Sequence, residues 1–208
     1  NDGFTPSGEK ALGCSDPCEE APMADTENRR IVLAARPVGE PKPGDFRLVR
    51  EAAPQPGPGQ ALLKTRWMSV DPYMRGRMSD APSYAPSWGV GEACQGAALG
   101  EVIASAAEGF APGDLVTSNR GWREAFTAPA AQVEKLDTMG LPPLLFMGAA
   151  GMTGMTAYAG LIDVAKLKAT DVVFVSGAAG AVGSVACQIA KAKGCKVIGS
   201  AGGPDKVA

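Results

Sequence analysis

Residues 171–200 restrict the fold more than any other stretch. Asp171-Val172-Val173-Phe174-Val175-Ser176 is β-rich and apolar on both faces, as a strand inside a parallel sheet is. Gly177 follows, and then Ala178-Ala179-Gly180-Ala181-Val182-Gly183, a G-x-G-x-x-G pattern with alanine in the first position. Val182, Val185 and Ile189 next recur at the spacing of one helix face. Lys191 and Lys193 suit the last turn of that helix, and Gly194 is a natural stop. Lys196-Val197-Ile198-Gly199-Ser200 reads as a second strand. Strand, glycine turn, helix and strand make one complete βαβ unit.

The turn suits a phosphorylated dinucleotide. Gly180 has no side chain, so a pyrophosphate can approach the backbone, and Gly183 lets the helix lie close on the strand. The helix start, through Ala181 and Val182, offers N–H groups that attract anions. Such a pattern is weak alone; its place between a strand and a helix strengthens it, the alternative being a turn that binds nothing. The end of the second strand discriminates between nicotinamide cofactors. An NAD site places Asp or Glu about 20 residues beyond the first motif position. Ile198-Gly199-Ser200-Ala201-Gly202 contains neither. Lys206 lies just beyond and suits the 2′-phosphate of NADP(H), although Asp205 beside it opposes an anion. The bland alternative for Lys206 is a solvated helix charge. NADP(H) is the expected cofactor.

The earlier part has another texture. Residues 31–35, 46–49, 61–65, 100–104 and 115–117 are apolar runs of strand length. Pro54-Gln55-Pro56-Gly57-Pro58-Gly59 and Ala111-Pro112-Gly113-Asp114 are turns between them. Strands at this spacing predict a β-barrel or sandwich over residues 28–136. Later, Met155, Tyr158, Ala159, Ile162 and Ala165 recur at threes and fours, which predicts a helix over residues 153–165 with these on one face.

Composition narrows the chemistry. The chain has no histidine, which removes His-based triads, His general bases and His metal ligands. A net charge of −2 gives no reason to expect nucleic acid or an anionic membrane as a partner. No apolar run approaches the ~18 residues that cross a bilayer, so a soluble, cytoplasmic protein is expected. The 5 cysteines form no C-x-x-C pair, and an odd number suits reduced cytosolic thiols. Cys14 and Cys18 have no partner ligands nearby, and no metal site is expected. Residues 1–22 are polar and aperiodic, and are expected to be a disordered leader or tag before a native start at Met23. At the other end the chain stops where a second helix should begin, so it is expected to be truncated.

Three segments resemble one branch of the medium-chain dehydrogenase/reductase superfamily, that of the prostaglandin reductases, plant alkenal double-bond reductases and bacterial curcumin-reductase-like proteins. They are Val70-Asp71-Pro72-Tyr73-Met74-Arg75-Gly76-Arg77-Met78, then Gly151-Met152-Thr153-Gly154-Met155-Thr156-Ala157-Tyr158, then residues 176–193. The first is fairly specific to the branch, whereas the glycine turn is shared by the whole superfamily. Gly91-Glu92-Ala93-Cys94-Gln95-Gly96 departs from it, being less apolar and less glycine-rich. The resemblance implies an α/β protein with a GroES-like β-barrel catalytic domain over residues 23–150. Residues 151–208 would then be the front of a Rossmann domain, a doubly wound parallel sheet that is incomplete here. Members continue for about 150 further residues and are usually homodimers.

The resemblance also implies a reaction. Zinc-dependent members of the superfamily use Cys and His ligands, whereas Ser69-Val70-Asp71-Pro72-Tyr73 occupies the corresponding segment. Reduction of the C=C bond of an α,β-unsaturated aldehyde or ketone, by hydride transfer from NADPH to the β-carbon, needs no metal. By resemblance, Tyr73 donates a hydrogen bond to the carbonyl oxygen as charge builds there, and Met152 and Thr156 border the nicotinamide. Tyr73 has an alternative as a packed core-edge residue, and Thr156 as a hydroxyl bonded back within its helix. Arg75 and Arg77 are expected to brace the loop through an ion pair, and Trp122 to be core. The rival functions are an NADPH quinone reductase of the same superfamily and a non-catalytic nucleotide-binding protein. One βαβ unit would also leave apolar edges bare at residues 172–175 and 197–198, and such a fragment alone would be inactive.

Overall fold

A computed structural model describes residues 27–207, so the expected leader at residues 1–22, with Cys14 and Cys18, lies outside the described residues. The short apolar runs form antiparallel strands. β1 (Glu27–Leu33) pairs with β2 (Phe46–Ala52), from Glu27 opposite Ala52 to Leu33 opposite Phe46. β3 (Gln60–Met68), β4 (Ala98–Ser105), β5 (Leu115–Ser118), β6 (Ala125–Pro129) and β7 (Glu134–Lys135) form a second sheet in the order β6-β3-β4-β5-β7. Every pairing in it is antiparallel. β3 carries register shifts at Leu62/Leu63 and Thr65/Trp67, which bend and twist a strand. Isolated bridges from Arg30 to Arg123 and from Val32 to Ala93 tie β1 to the rest.

Side chains from several strands of the larger sheet make one core. Ala61, Leu63, Val102, Val116, Phe126 and Ala128 are buried together, with Phe110 and Val133 against them. Leu63 has no exposed surface. Leu63→Ala is expected to lower unfolding stability by about 2–5 kcal/mol, through lost burial and an unfilled cavity. A shift of the urea midpoint below that of the parent protein checks it.

The second part is the predicted βαβ unit. β8 (Val172–Val175) and β9 (Lys196–Gly199) pair in parallel, joined through α3 (Ala181–Ala192). The helix ends as its sequence requires. Gly194 takes the left-handed φ of +90°, its N–H bonds the Lys191 carbonyl at 2.9 Å, and the Cys195 N–H bonds the Ala190 carbonyl at 3.1 Å. This is the paired closing motif that satisfies the last carbonyls of a helix. Before the unit stands α2 (Met152–Tyr158), which runs on into a π-helical turn (Ala159–Val164) and packs against α3.

The α2 residues Met155 and Tyr158 are exposed, Met155 to 67%, and the buried positions of this helix are Gly154 and Ala157. In α3, Ala186 and Ala190 are buried, Val185 and Ile189 are half-buried and Val182 is exposed. Small residues let two helices approach closely, and the wider π turn shifts the phase of any 3.6-residue pattern that crosses it. β8 is not enclosed on both faces, since among the described residues β9 is its sheet neighbour and Phe174 is 65% exposed. The expectation of bare apolar edges at Val172, Phe174 and Ile198 is met. Among the described residues no helix is long and apolar enough to cross a membrane.

Candidate active site

The glycine turn is held by its own backbone and by the end of β9. Gly177 lies in the left-handed region at φ +61°, and its carbonyl accepts from the Gly180 N–H at 2.8 Å. The Ala178 N–H donates to the Ser200 carbonyl at 2.9 Å, and the Ser200 N–H donates to the Val175 carbonyl at 3.0 Å. The turn, β8 and β9 are thereby stitched at one point. α3 then starts without a side-chain cap, and its first bond runs from the Ser184 N–H to the Gly180 carbonyl at 2.9 Å. Ahead of that bond, Ala181, Val182 and Gly183 present N–H groups with no acceptor inside the helix, an arrangement that receives anions. A methyl group built on Gly180 would stand 3.1 Å from the Gly177 carbonyl, and one on Gly183 only 2.3 Å from it. The second contact is prohibitive, so glycine at 183 is a steric requirement of the helix seat.

Lys206 joins this region. It ends a short 3-10 turn (Pro204–Lys206) and lines a cleft of about 220 Å³ with Ala178, Ala179, Gly199, Ser200 and Ala201. Among the described residues no carboxylate side chain lines that cleft, although Asp205 is adjacent in sequence. The structure therefore brings the turn, the uncharged strand end and the cation around one opening. A diphosphate on the N–H groups and a further phosphate beside Lys206 fit these donors.

Tyr73 sits on the other part, at the first residue of α1 (Tyr73–Arg77), a helix that the sequence reading missed. Five residues cannot hold a helix by themselves. Met74 and Met78, four apart, bury one face among Leu33, Trp88 and Cys94. Arg75 grips one loop, donating to the Pro37 carbonyl at 3.2 Å and the Gly39 carbonyl at 2.8 Å. Arg77 grips another, donating to the Pro86 carbonyl at 2.9 Å and to Gln95 Oε1 at 2.7 Å, while lying over the Trp88 ring. The expected ion pair is thus replaced by bonds to carbonyl and amide oxygens. Gln95, one of the polar departures in the Gly91–Gly96 segment, serves as an anchor, and burial pushes the neighbouring Cys94 thiol up to about 11.

Held this way, Tyr73 is half-buried against the core cluster. Its phenol is raised from the ordinary tyrosine value, first by burial and then by the Asp71 charge, with Arg77 and the Ala97 backbone pulling the other way. It is therefore a neutral hydroxyl donor throughout the neutral range. The ring packs on the core edge, as the packed alternative expects, and the hydroxyl stays protonated, as a donor requires. Ala97 also lines a cleft of about 420 Å³ with Thr117, Asn119, Gln132, Phe146 and Met147, between the larger sheet and the turn that precedes α2. Ala97 acts through its backbone, so no residue type could have announced it.

Met152 and Thr156 lie four apart on an exposed face of α2. Thr156 Oγ1 donates to the Met152 carbonyl at 2.7 Å, which is the back-bonded alternative; the oxygen keeps lone pairs for a further donor. Neither residue, nor Tyr73, lines the cleft at the glycine turn. Trp122 stacks on Phe46 with ring centroids 6.1 Å apart and packs on the same core cluster as Tyr73, as expected of a core-edge residue.

A family model described as the N-terminal domain of oxidoreductase matches residues 29–136, just over half of the chain. The chain is 42% identical over 179 residues to the NADPH-dependent curcumin reductase of Escherichia coli, covering 86% of this chain and 52% of that protein. It is 36% identical over 189 residues to the 2-alkenal reductase (NADP(+)-dependent) of Nicotiana tabacum, covering 88% and 55%. The crystal structure of CurA in complex with NADPH from Vibrio vulnificus superposes with a TM-score of 0.80 at 43% identity, over 85% of this chain and 52% of that one. The chain thus spans about half the length of the curated relatives it matches. The early strands, the Asp71-Pro72-Tyr73-Met74-Arg75 segment and the glycine turn all fall within one pattern: the chain belongs to the zinc-independent medium-chain dehydrogenase/reductases, in the branch of the curcumin, prostaglandin and alkenal reductases.

Proposed function

We propose that this protein binds NADP(H) and reduces the C=C bond of α,β-unsaturated aldehydes or ketones. The observation that carries the reading is a cleft that Ala178 and Ala179 of the glycine turn share with Lys206 at the end of a parallel strand pair, with the uncapped start of α3 following the turn directly and no carboxylate side chain among the described lining residues. The relatives named as NADPH-dependent curcumin reductase and 2-alkenal reductase support the same chemistry. Bound NADPH would supply a hydride to the β-carbon. The N–H groups of Ala181, Val182 and Gly183, with Gly180 leaving the backbone open, hold the diphosphate. Lys206 neutralises the 2′-phosphate. Met152 and Thr156 border the nicotinamide, and Tyr73 donates a hydrogen bond to the substrate carbonyl oxygen as negative charge gathers there.

In this reading residues 23–150 are a GroES-like barrel, residues 151–208 belong to a doubly wound Rossmann sheet, and the protein works as a cytoplasmic homodimer. Oxidation of NADPH followed in parallel with an enone and with a quinone tests it. Faster consumption with the enone is expected; preference for the quinone would instead identify a quinone reductase. Lys206→Ala should weaken NADPH binding about ten- to hundred-fold, the range of one charged hydrogen bond, and leave NADH nearly unchanged. Fluorescence titration with both cofactors checks this, and equal losses would remove Lys206 from the 2′-phosphate.

A further inference from the structure

The first glycine of the turn pattern is missing, since alanine stands at 178, and the structure shows what accommodates its methyl group. Gly199, the last residue of β9, faces it: a Cβ built on Gly199 would lie 2.7 Å from the Ala178 Cβ. Real Cβ atoms essentially never come so close, and neither carbon can rotate away, so one backbone would have to move. Among the described residues, and apart from Gly199 and its chain neighbours, Ala178 Cβ is also the only atom within 4 Å of that position. The backbones of the two segments are joined beside the contact, through the Ala178 N–H to the Ser200 carbonyl at 2.9 Å. Both residues line the cleft that contains Lys206.

We propose that Ala178 and Gly199 are one reciprocal steric pair, a methyl group on the turn and a vacancy on the strand, which seats the cofactor turn against β9. Gly199 is in this sense a positioning residue. It touches no phosphate, but it sets the distance between the N–H groups that follow the turn and the Ser200–Lys206 side of the cleft. This deepens the NADP(H) reading and rests on it. Glycine at 199 is not needed for its backbone, which lies outside the left-handed region. It is needed because Ala178 occupies the space.

A swap tests the pair without changing the number of atoms. Gly199→Ala in the whole chain is expected to weaken binding of NADPH, and of adenosine 2′,5′-bisphosphate, about ten-fold or more. The double variant A178G/G199A should bind both within about three-fold of the parent, because the added methyl then meets nothing within 4 Å. A merely destabilising glycine replacement would not be rescued by removing one particular methyl group. A G199A chain that binds like the parent, or a swap no better than the single change, would overturn the proposal. Melting temperatures of the three proteins supply a second reading that needs no ligand: G199A should melt below the parent, and the swap should recover. If the parent binds neither ligand, the NADP(H) reading fails, and the melting cycle alone decides the pair; no recovery there overturns it too.

Discussion

Tyr73→Phe is expected to lower kcat on an enone by about 10²–10³, the loss seen when one donor to a developing oxyanion is removed. NADPH affinity should stay within about two-fold, because surface burial and core packing survive loss of a hydroxyl that has no part in the cofactor cleft. The ring remains on the core edge, so the variant should melt like the parent. The pH profile separates a donor from a spectator. Burial and Asp71 raise the phenol above its ordinary value, which is about 10. The donating form is then complete at pH 7 and is lost only as pH rises through the raised value. Turnover of the parent should therefore show no loss from this group between about pH 6 and pH 9, and Tyr73→Phe should lower the curve across that window and lack the alkaline loss that titration of the phenol gives the parent. Unchanged kcat in the variant would sink the role.

What could be read from the sequence was whatever is local. The βαβ unit is contiguous: residues 171–200 contain strand, turn, helix and partner strand, each with its own signal, and β8, α3 and β9 stand within a residue or two of the predicted limits. Gly194 closes α3 because only its own φ matters there. α1 is the opposite case. Nothing in five residues stabilises a helix; Met74 and Met78 reach a distant core, and Arg75 and Arg77 bond loops far away in sequence. A proline at the helix entry, with two methionines four apart, was the available signal. β6 depends on β3 in the same way, since Ala-Phe-Thr-Ala-Pro has little strand preference until Lys64 and Gln60 lie opposite it. The inward face of α2 had no signal of its own, because large apolar residues usually point inward, whereas the buried residues of this helix, which packs on α3, are Gly154 and Ala157. In the candidate site, residue types announced Gly180, Gly183 and Lys206. The Ala178–Gly199 contact joins two segments across the sheet, and no spacing rule reports it.

Gly183→Val should abolish NADPH binding and cost about 3 kcal/mol of stability. The reason is geometric. The Cβ would stand 2.3 Å from the Gly177 oxygen, 2.9 Å from its carbonyl carbon and 3.0 Å from Ala178 Cα, all of them backbone atoms. None can rotate aside, so either the first turn of α3 lifts or the glycine turn opens. Lifting the helix carries the N–H groups of Ala181 and Val182 away from the position proposed for the diphosphate. Opening the turn breaks the 2.8 Å bond from the Gly180 N–H to Gly177 and disturbs the Ala178–Ser200 stitch. Either movement removes the anion site, so binding should fall below detection even where circular dichroism shows the helices intact. Gly160→Ala is the matched control, because a methyl there meets nothing within 4 Å and the backbone is helical. It should leave binding unchanged and the melting temperature equal or slightly higher. A Gly183→Val protein that still binds NADPH as the parent does would show that the diphosphate lies elsewhere, and the assignment of this turn would be withdrawn.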